Sequence, residues 1–433
     1  MATTNRDTIQ IGLLGLGTVG SGTYALLQQN ASIIERKLGV RPVVRRVAVR
    51  DLAKRRAVTV PSGLLTSDPV EVLDDPAVEI VCELIGGVSP AREYILRALR
   101  SGKHVVTANK ELIARDGHAL MMEAQERGLD FLFEGSVGGG IPIIQPMKSA
   151  LAGNQVQRIQ GIVNGTTNYI LTRMTQEGTD FADALRDAQA AGYAEADPTS
   201  DVEGFDAQYK IAILSSIAFT SQVHVSDVYV EGITHVTKRD IECARDLGYV
   251  IKLVAVAESR EDGALQVRVT PMFLRAAHPL ASTNDVFNAI LLRGDAVGDV
   301  MFYGRGAGMM PTGSAVVGDI MDVCRNIIHG STSRIGCTCF EQRQMLPVDQ
   351  IEALYYLRML VLDRPGVLAS VAGVLGEHEV SIESVVQRST GEGLAEIIWV
   401  THRTREADIR AALARICTLE CVVRLENWLR VDG

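Results

Sequence analysis

No stretch of the 433-residue chain reaches the roughly 18 uninterrupted apolar residues of a membrane span, so a spanning helix is not expected. Basic residues are in deficit: 43 Lys and Arg stand against 52 Asp and Glu, a net charge of −9. Nucleic-acid binding needs a basic footprint, so nucleic acid is not an expected partner. Cysteines are few, odd in number and irregularly spaced: Cys82, Cys243, Cys324, Cys337, Cys339, Cys417 and Cys421. That usage suits a reducing compartment rather than a disulfide framework. Cys337-Thr338-Cys339 and Cys417–Cys421 each look like half of a zinc site. Neither has a second Cys/His pair nearby in sequence, so packed or idle thiols are expected there. The early apolar run is split by glycines at turn spacing and no cleavage-like segment follows, which argues against a signal peptide. A cytoplasmic protein is the expectation.

What is present is enough chain for two or three hydrophobic cores. The composition, 47% hydrophobic and 22% charged, is that of an ordinary folded protein. The first informative segment is Thr8–Leu14, a short apolar strand, followed by Gly15-Leu16-Gly17-Thr18-Val19-Gly20. This is G-x-G-x-x-G between a strand and a helical stretch, with a second strand at Val43–Val49. In that context the glycines predict a dinucleotide site. Gly15 permits the turn, Gly17 admits a pyrophosphate to the backbone, and Gly20 lets the helix pack. The helix N-terminus then offers free N–H groups to the anion. A glycine turn without a ligand is the alternative. Strand two ends at Arg50, with Asp51, Lys54, Arg55 and Arg56 behind it. Cations there favour a 2′-phosphate and hence NADP, while Asp51 keeps NAD in play.

Further strands at Val78–Ile85 and His104–Thr107 flank a helix at Pro90–Arg100. Lys110 follows just past a strand's carboxyl end, where ligands bind in open α/β sheets. Next comes Glu134-Gly135-Ser136-Val137-Gly138-Gly139-Gly140-Ile141-Pro142. Its three glycines leave the backbone free to turn carbonyls inward around a hard cation, or to act as a hinge. The stretch GYAEADPTSDVEG carries Glu195, Asp197, Asp201 and Glu203. Pro198 is expected to keep it a loop. The helix after it places Asp206 and Lys210 four apart, on one face. A lysine near a nicotinamide can donate a proton to a developing alkoxide, and carboxylates can hold a substrate ammonium. An amino-acid-like alcohol or aldehyde is therefore the expected substrate.

Pro311–Ile328 reads as a helix with Pro in its first turn. After Cys339–Ala353 the pattern is strand, helix, strand, strand, helix, strand: Tyr355–Leu362, a helix from Pro365, Val380–Gln387, Ala395–Thr401, Glu406–Cys417 and Cys421–Leu429. That order makes an antiparallel sheet with both helices on one face.

These motifs resemble the homoserine dehydrogenase family over nearly the whole chain, in its bacterial form with a C-terminal ACT domain. The most specific match is GYAEADPTSDVEGFDAQYK at Gly192–Lys210, supported by TANK at Thr107–Lys110, EGSVGGGIPII at Glu134–Ile144 and YGRGAGMMPTGSAV at Tyr303–Val316. DRPGVLA is similar to the turn that opens an ACT helix. The resemblance implies an α/β chain. A Rossmann-type nucleotide domain spans 1–135 with a return segment at 305–335, and an α+β catalytic and dimerisation domain spans 136–304. A linker at 336–353 leads to a βαββαβ ACT domain at 354–433. It implies reduction of L-aspartate 4-semialdehyde to L-homoserine with NADPH or NADH. Lys210 is then the proton donor, and Lys110 a second catalytic lysine that also meets the cofactor. Glu195 and Asp206 bind substrate. Gly15, Gly17, Thr18, Val19, Gly20, Arg50 and Gly306 bind the cofactor, and Glu134, Val137, Gly139 and Ile141 hold a sodium ion. Threonine feedback and a homodimer or homotetramer are implied as well. Two rivals remain: an oxidoreductase for another small carbonyl, and an amino-acid-binding regulator without catalysis.

Overall fold

The structure, a computed structural model, describes residues 6–432. The chain forms two compact units. One takes the chain up to Gln157, then Tyr209–Val225 and Phe287–Gln342; the other takes Arg158–Gln208, Ser226–Val286 and the chain from Arg343 on.

In the first unit β1 (Thr8–Leu14), β2 (Arg41–Ala48), β3 (Leu65–Thr66), β4 (Ile80–Glu83), β5 (His104–Thr107) and β6 (Phe131–Leu132) make one sheet. Its order is β3-β2-β1-β4-β5-β6, and every pairing is parallel. Parallel strands are covered on both faces, which is why β1 and β4 read as nearly continuous apolar runs. Ile9, Ile11, Leu13, Ile80 and Cys82 are completely buried. The strand order reverses between β1 and β4, which opens a crevice at their carboxyl ends.

A distant part of the chain completes this core. The helix Met309–His329 contributes Val316, Ile320 and Val323 to the cluster built on Ile9, Ile11 and Leu13. It begins two residues before the expected proline, with Gly308 at φ 129° as its N-cap. Two glycines let it lie against the helix Thr18–Gln29. A Cβ on Gly22 would stand 1.8 Å from the Met309 carbonyl oxygen, and one on Gly313 2.7 Å from the Gly22 carbonyl carbon. The hairpin Phe287–Gly294 and Gly298–Arg305 precedes this helix.

The second unit is built on the antiparallel pair Tyr249–Ser259 and Leu265–Arg275, most of whose residues are buried. The C-terminal module has the expected βαββαβ order: Glu352–Leu362, helix Val367–Glu377, Ile382–Gly391, Leu394–Thr401, helix Glu406–Ile416 and Val422–Val431. Its first strand lies between the last and the third, and the second strand pairs with the third. Its own core gathers Leu357, Met359, Val371, Leu375, Trp399 and Ile409. The module is continuous with the rest of the unit, since Met272 and Phe273 pair in parallel with Arg430 and Val431.

The acidic segment after Gly192 corrects one expectation. Pro198 does not exclude a helix; it is the N-cap of the short helix Thr199–Val202. Proline lacks only a donor that the first turn does not use.

Candidate active site

A cleft of about 880 Å³ opens over the carboxyl ends of β1, β2 and β4. It falls within the usual size range of small-molecule sites. Gly15, Gly17, Thr18 and Arg50 line it; Val19 and Gly20 do not. The glycines act differently. Gly15 has φ 98°, and a Cβ there would stand 2.7 Å from the Leu84 carbonyl oxygen. A Cβ on Gly20 would stand 2.3 Å from the Gly15 oxygen, so Gly20 closes the turn itself. A Cβ on Gly17 would meet nothing within 4 Å. Gly17 therefore leaves the open approach that a phosphate needs, and the fit to a dinucleotide is good at this point. Lys54, Arg55 and Arg56 also line the cleft. Arg56 is tied to the loop, donating to the carbonyl oxygens of Lys54 at 2.7 Å and of Asp51.

The rim beside β4 is held by groups that the sequence analysis passed over. Glu83 is fully buried, accepts from the Ile85 and Gly86 amides, and takes the Thr107 hydroxyl at 2.7 Å. Asn109 donates to the Gly87 carbonyl at 2.6 Å while its Oδ1 accepts the Leu112 amide, capping the helix Lys110–Glu126. Lys110 is thus the first residue of a helix whose start is clamped to the rim. The same helix carries Arg115, which donates to the Tyr209 hydroxyl at 3.1 Å. Tyr209 immediately precedes Lys210, so the two lysine-bearing helices are tied to each other.

Lys210 lies on the helix Phe205–Ala218 and is only 7% exposed. Asp206, one turn earlier, is 4% exposed and accepts Asn164 Nδ2 at 2.9 Å. The same Nδ2 donates to Asp201 at 2.7 Å, and Asn164 Oδ1 accepts the Thr167 amide, capping the helix Gly165–Glu177. Asn164 thereby holds one carboxylate of the acidic segment and one of the helix that follows it. Glu195 lies exposed on that segment, where its backbone oxygen accepts Gln189 Nε2. A buried lysine outside the expected set lies on the strand Tyr249–Ser259. Lys252 donates to Asn168, Asn284 and the Thr283 carbonyl, and burial lowers its pKa to about 8.

The glycine loop is compact. Gly138 and Gly139 have φ of 73° and 52°, and the Ile141 amide closes a turn on the Gly138 carbonyl. A Cβ on Gly139 would stand 2.5 Å from the Gly306 carbonyl oxygen, which places Gly306 against this loop. The Glu134 carboxylate accepts three backbone amides, those of Ile143, Ile144 and Gln145. Burial still pushes its pKa up, and burial likewise raises that of Asp319, which accepts the Glu134 amide, well above its ordinary value. A carboxylate has about four acceptor positions, so Glu134 has room for one further partner.

Family models match residues 15–134 as "Homoserine dehydrogenase, NAD binding domain", residues 142–321 as "Homoserine dehydrogenase" and residues 355–421 as an ACT domain. A homoserine dehydrogenase from Synechocystis sp. is 48% identical, covering 98% of this chain and 99% of its own. The chain belongs to the homoserine dehydrogenase family. The solved homoserine dehydrogenase of Thiobacillus denitrificans superposes with a TM-score of 0.94 at 42% identity, covering 99% of both chains. A hyperthermophilic archaeal homoserine dehydrogenase, solved in complex with NADPH, gives a TM-score of 0.62 at 28% identity. It spans 73% of this chain and 97% of its own. Membership makes the chain an NAD(P)-dependent oxidoreductase acting on a CH–OH group, with an ACT module at its C-terminus. Among the described residues no helix is long and apolar enough to cross a membrane.

Proposed function

We propose that the enzyme interconverts L-aspartate 4-semialdehyde and L-homoserine, with NADPH as its preferred reductant and NADH as the alternative. The observation that carries the reading is the buried Asp206–Lys210 pair on one helix, with Asn164 fixing the acid and Tyr209 linking to the Lys110 helix. When bound, the nicotinamide supplies or takes the hydride. The Lys210 ammonium gives its proton to the aldehyde oxygen as negative charge develops there, and recovers it in the reverse direction. Lys110 adds positive charge at the strand end and meets the cofactor. Asp206 and Glu195 bind the substrate, the Glu195 carboxylate at the substrate's ammonium group.

Arg50 and the cations behind it support NADPH, because a 2′-phosphate takes charge-assisted hydrogen bonds that a ribose hydroxyl does not. Arg50→Ala is expected to raise KM for NADPH about tenfold or more and to leave KM for NADH nearly unchanged. Steady-state kinetics with both cofactors reads this directly. Gly15, Gly17, Thr18, Val19, Gly20 and Gly306 complete the proposed cofactor site.

Glu134, Val137, Gly139 and Ile141 are the proposed sodium ligands. Apart from the Glu134 carboxylate they would offer carbonyl oxygen, a donor set that suits a hard cation. Such an ion would organise the loop. The ACT module supports an amino-acid effector, threonine in this reading, acting in a homodimer or homotetramer. The odd number and irregular spacing of the cysteines support a cytoplasmic setting in the same reading. One assay tests the core of this: semialdehyde with each reduced cofactor, with and without threonine. Turnover with another small carbonyl but none with the semialdehyde overturns the substrate, and an unchanged rate under threonine overturns the effector.

A further inference from the structure

We propose that His118, Cys337 and Cys339 form a binding site for one thiophilic divalent cation, zinc in the first place. The fold supplies what the sequence spacing lacked. Cys337 and Cys339 are a half-site, and the third donor comes from the helix Lys110–Glu126, 219 residues away. His118 Nδ1 stands 3.2 Å from Cys337 Sγ, and the donor atoms of all three residues lie within 4.8 Å of one another. In a tetrahedral zinc site neighbouring sulfur and nitrogen donors are about 3.6–3.8 Å apart, so shifts of under about 1 Å would close the set. Two thiolates and an imidazole select zinc, cadmium or cobalt over sodium, magnesium or calcium.

The surroundings are those of a held site. The three residues are half-buried, and all line a cavity of about 40 Å³, room for the water that a fourth position needs. Thr338, between the cysteines, has a buried hydroxyl with no hydrogen-bond partner, and it lines the same cavity. The Cys-Thr-Cys segment is fixed from both sides. A Cβ on Gly336 would stand 2.5 Å from Gln125 Oε1, Lys148 Nζ donates to the Gly336 carbonyl at 3.4 Å, and Cys339 Sγ donates to the Ser216 carbonyl at 3.6 Å. A bound cation would staple the segment after the helix Met309–His329 to the helix that begins at Lys110.

The test uses the full chain, reduced and stripped of metal, titrated with cadmium or cobalt. Thiolate-to-metal charge-transfer absorption should appear and saturate at one equivalent per chain. Cys337→Ser and Cys339→Ser should each remove about half of it, and the double variant all of it. His118→Ala should weaken the affinity at least about tenfold, since even indirect partners of a metal site are worth that much. Cys417→Ser, an exposed cysteine outside the cluster, should change nothing. A measurement on the unsubstituted chain guards against misfolding: zinc should protect Cys337 and Cys339 together from alkylation, read by peptide mass. The proposal is overturned if the band survives in the double variant, or if zinc leaves both thiols as reactive as before.

Discussion

Lys210→Ala should lower turnover by roughly a hundredfold or more, the usual scale of general acid–base help, while KM for the semialdehyde changes much less. The expectation follows from where the side chain is. It is 7% exposed on a helix whose neighbouring Tyr209 is held by Arg115, so it is kept off bulk water. An ammonium so held acts on a developing alkoxide more strongly than on the neutral aldehyde, and the loss therefore falls on kcat. Lys210→Arg should not restore the rate, because a guanidinium keeps its charge but does not release its proton at working pH. Steady-state kinetics of both variants in both directions decides it. Turnover within a few-fold of the parent in Lys210→Ala removes Lys210 from the proton-transfer role and leaves the fold untouched.

What could be read from the sequence was what depends on neighbours a few residues apart. The glycine turn and its strand–helix setting are local, and so was the face shared by Asp206 and Lys210. The βαββαβ order of the last eighty residues follows from alternating periods and turn glycines in the same way. Pro198 shows the limit even of local reasoning, since a breaker inside a helix is also a legitimate start of one. Long-range partners were invisible. Asn164 caps a helix through a neighbour three residues on, but its hold on Asp201 and Asp206 joins residues 37 and 42 positions away. Nothing in a spacing pattern announces that Gly22 and Gly313 must meet, or that His118 reaches Cys337. These contacts exist because separate segments are folded onto one another, which no window of sequence contains.

The second large effect is expected at Asp240, which the motif analysis gave no role. Asp240 is fully buried and closes a capping box with Thr237 at the start of the helix Lys238–Asp246. Its two oxygens also accept Arg358 Nε at 2.9 Å, the Tyr356 hydroxyl at 3.2 Å and Asn427 Nδ2 at 2.8 Å. Three residues of the C-terminal module thus converge on one carboxylate of the preceding segment. Asp240→Ala leaves the Arg358 guanidinium, 6% exposed, without its main counter-charge. Removing one member of a buried pair costs about 3–5 kcal/mol, so denaturant unfolding should show a loss on that scale. Nearby Glu396 is 3.6 Å from Arg358 and keeps some compensation, which favours the lower end. The pH dependence has a definite sign. Burial alone would raise the Asp240 pKa, but Arg358, Thr237 and Asn427 hold it below the ordinary 3.8. Its contribution is therefore full above the unfolded value and is lost as pH falls through the lower folded value. Asp240→Ala should flatten that acid limb of the stability curve as well as lower it at neutral pH. A variant as stable as the parent, or one with an unchanged acid limb, would show that the carboxylate does not hold the ACT module to its unit.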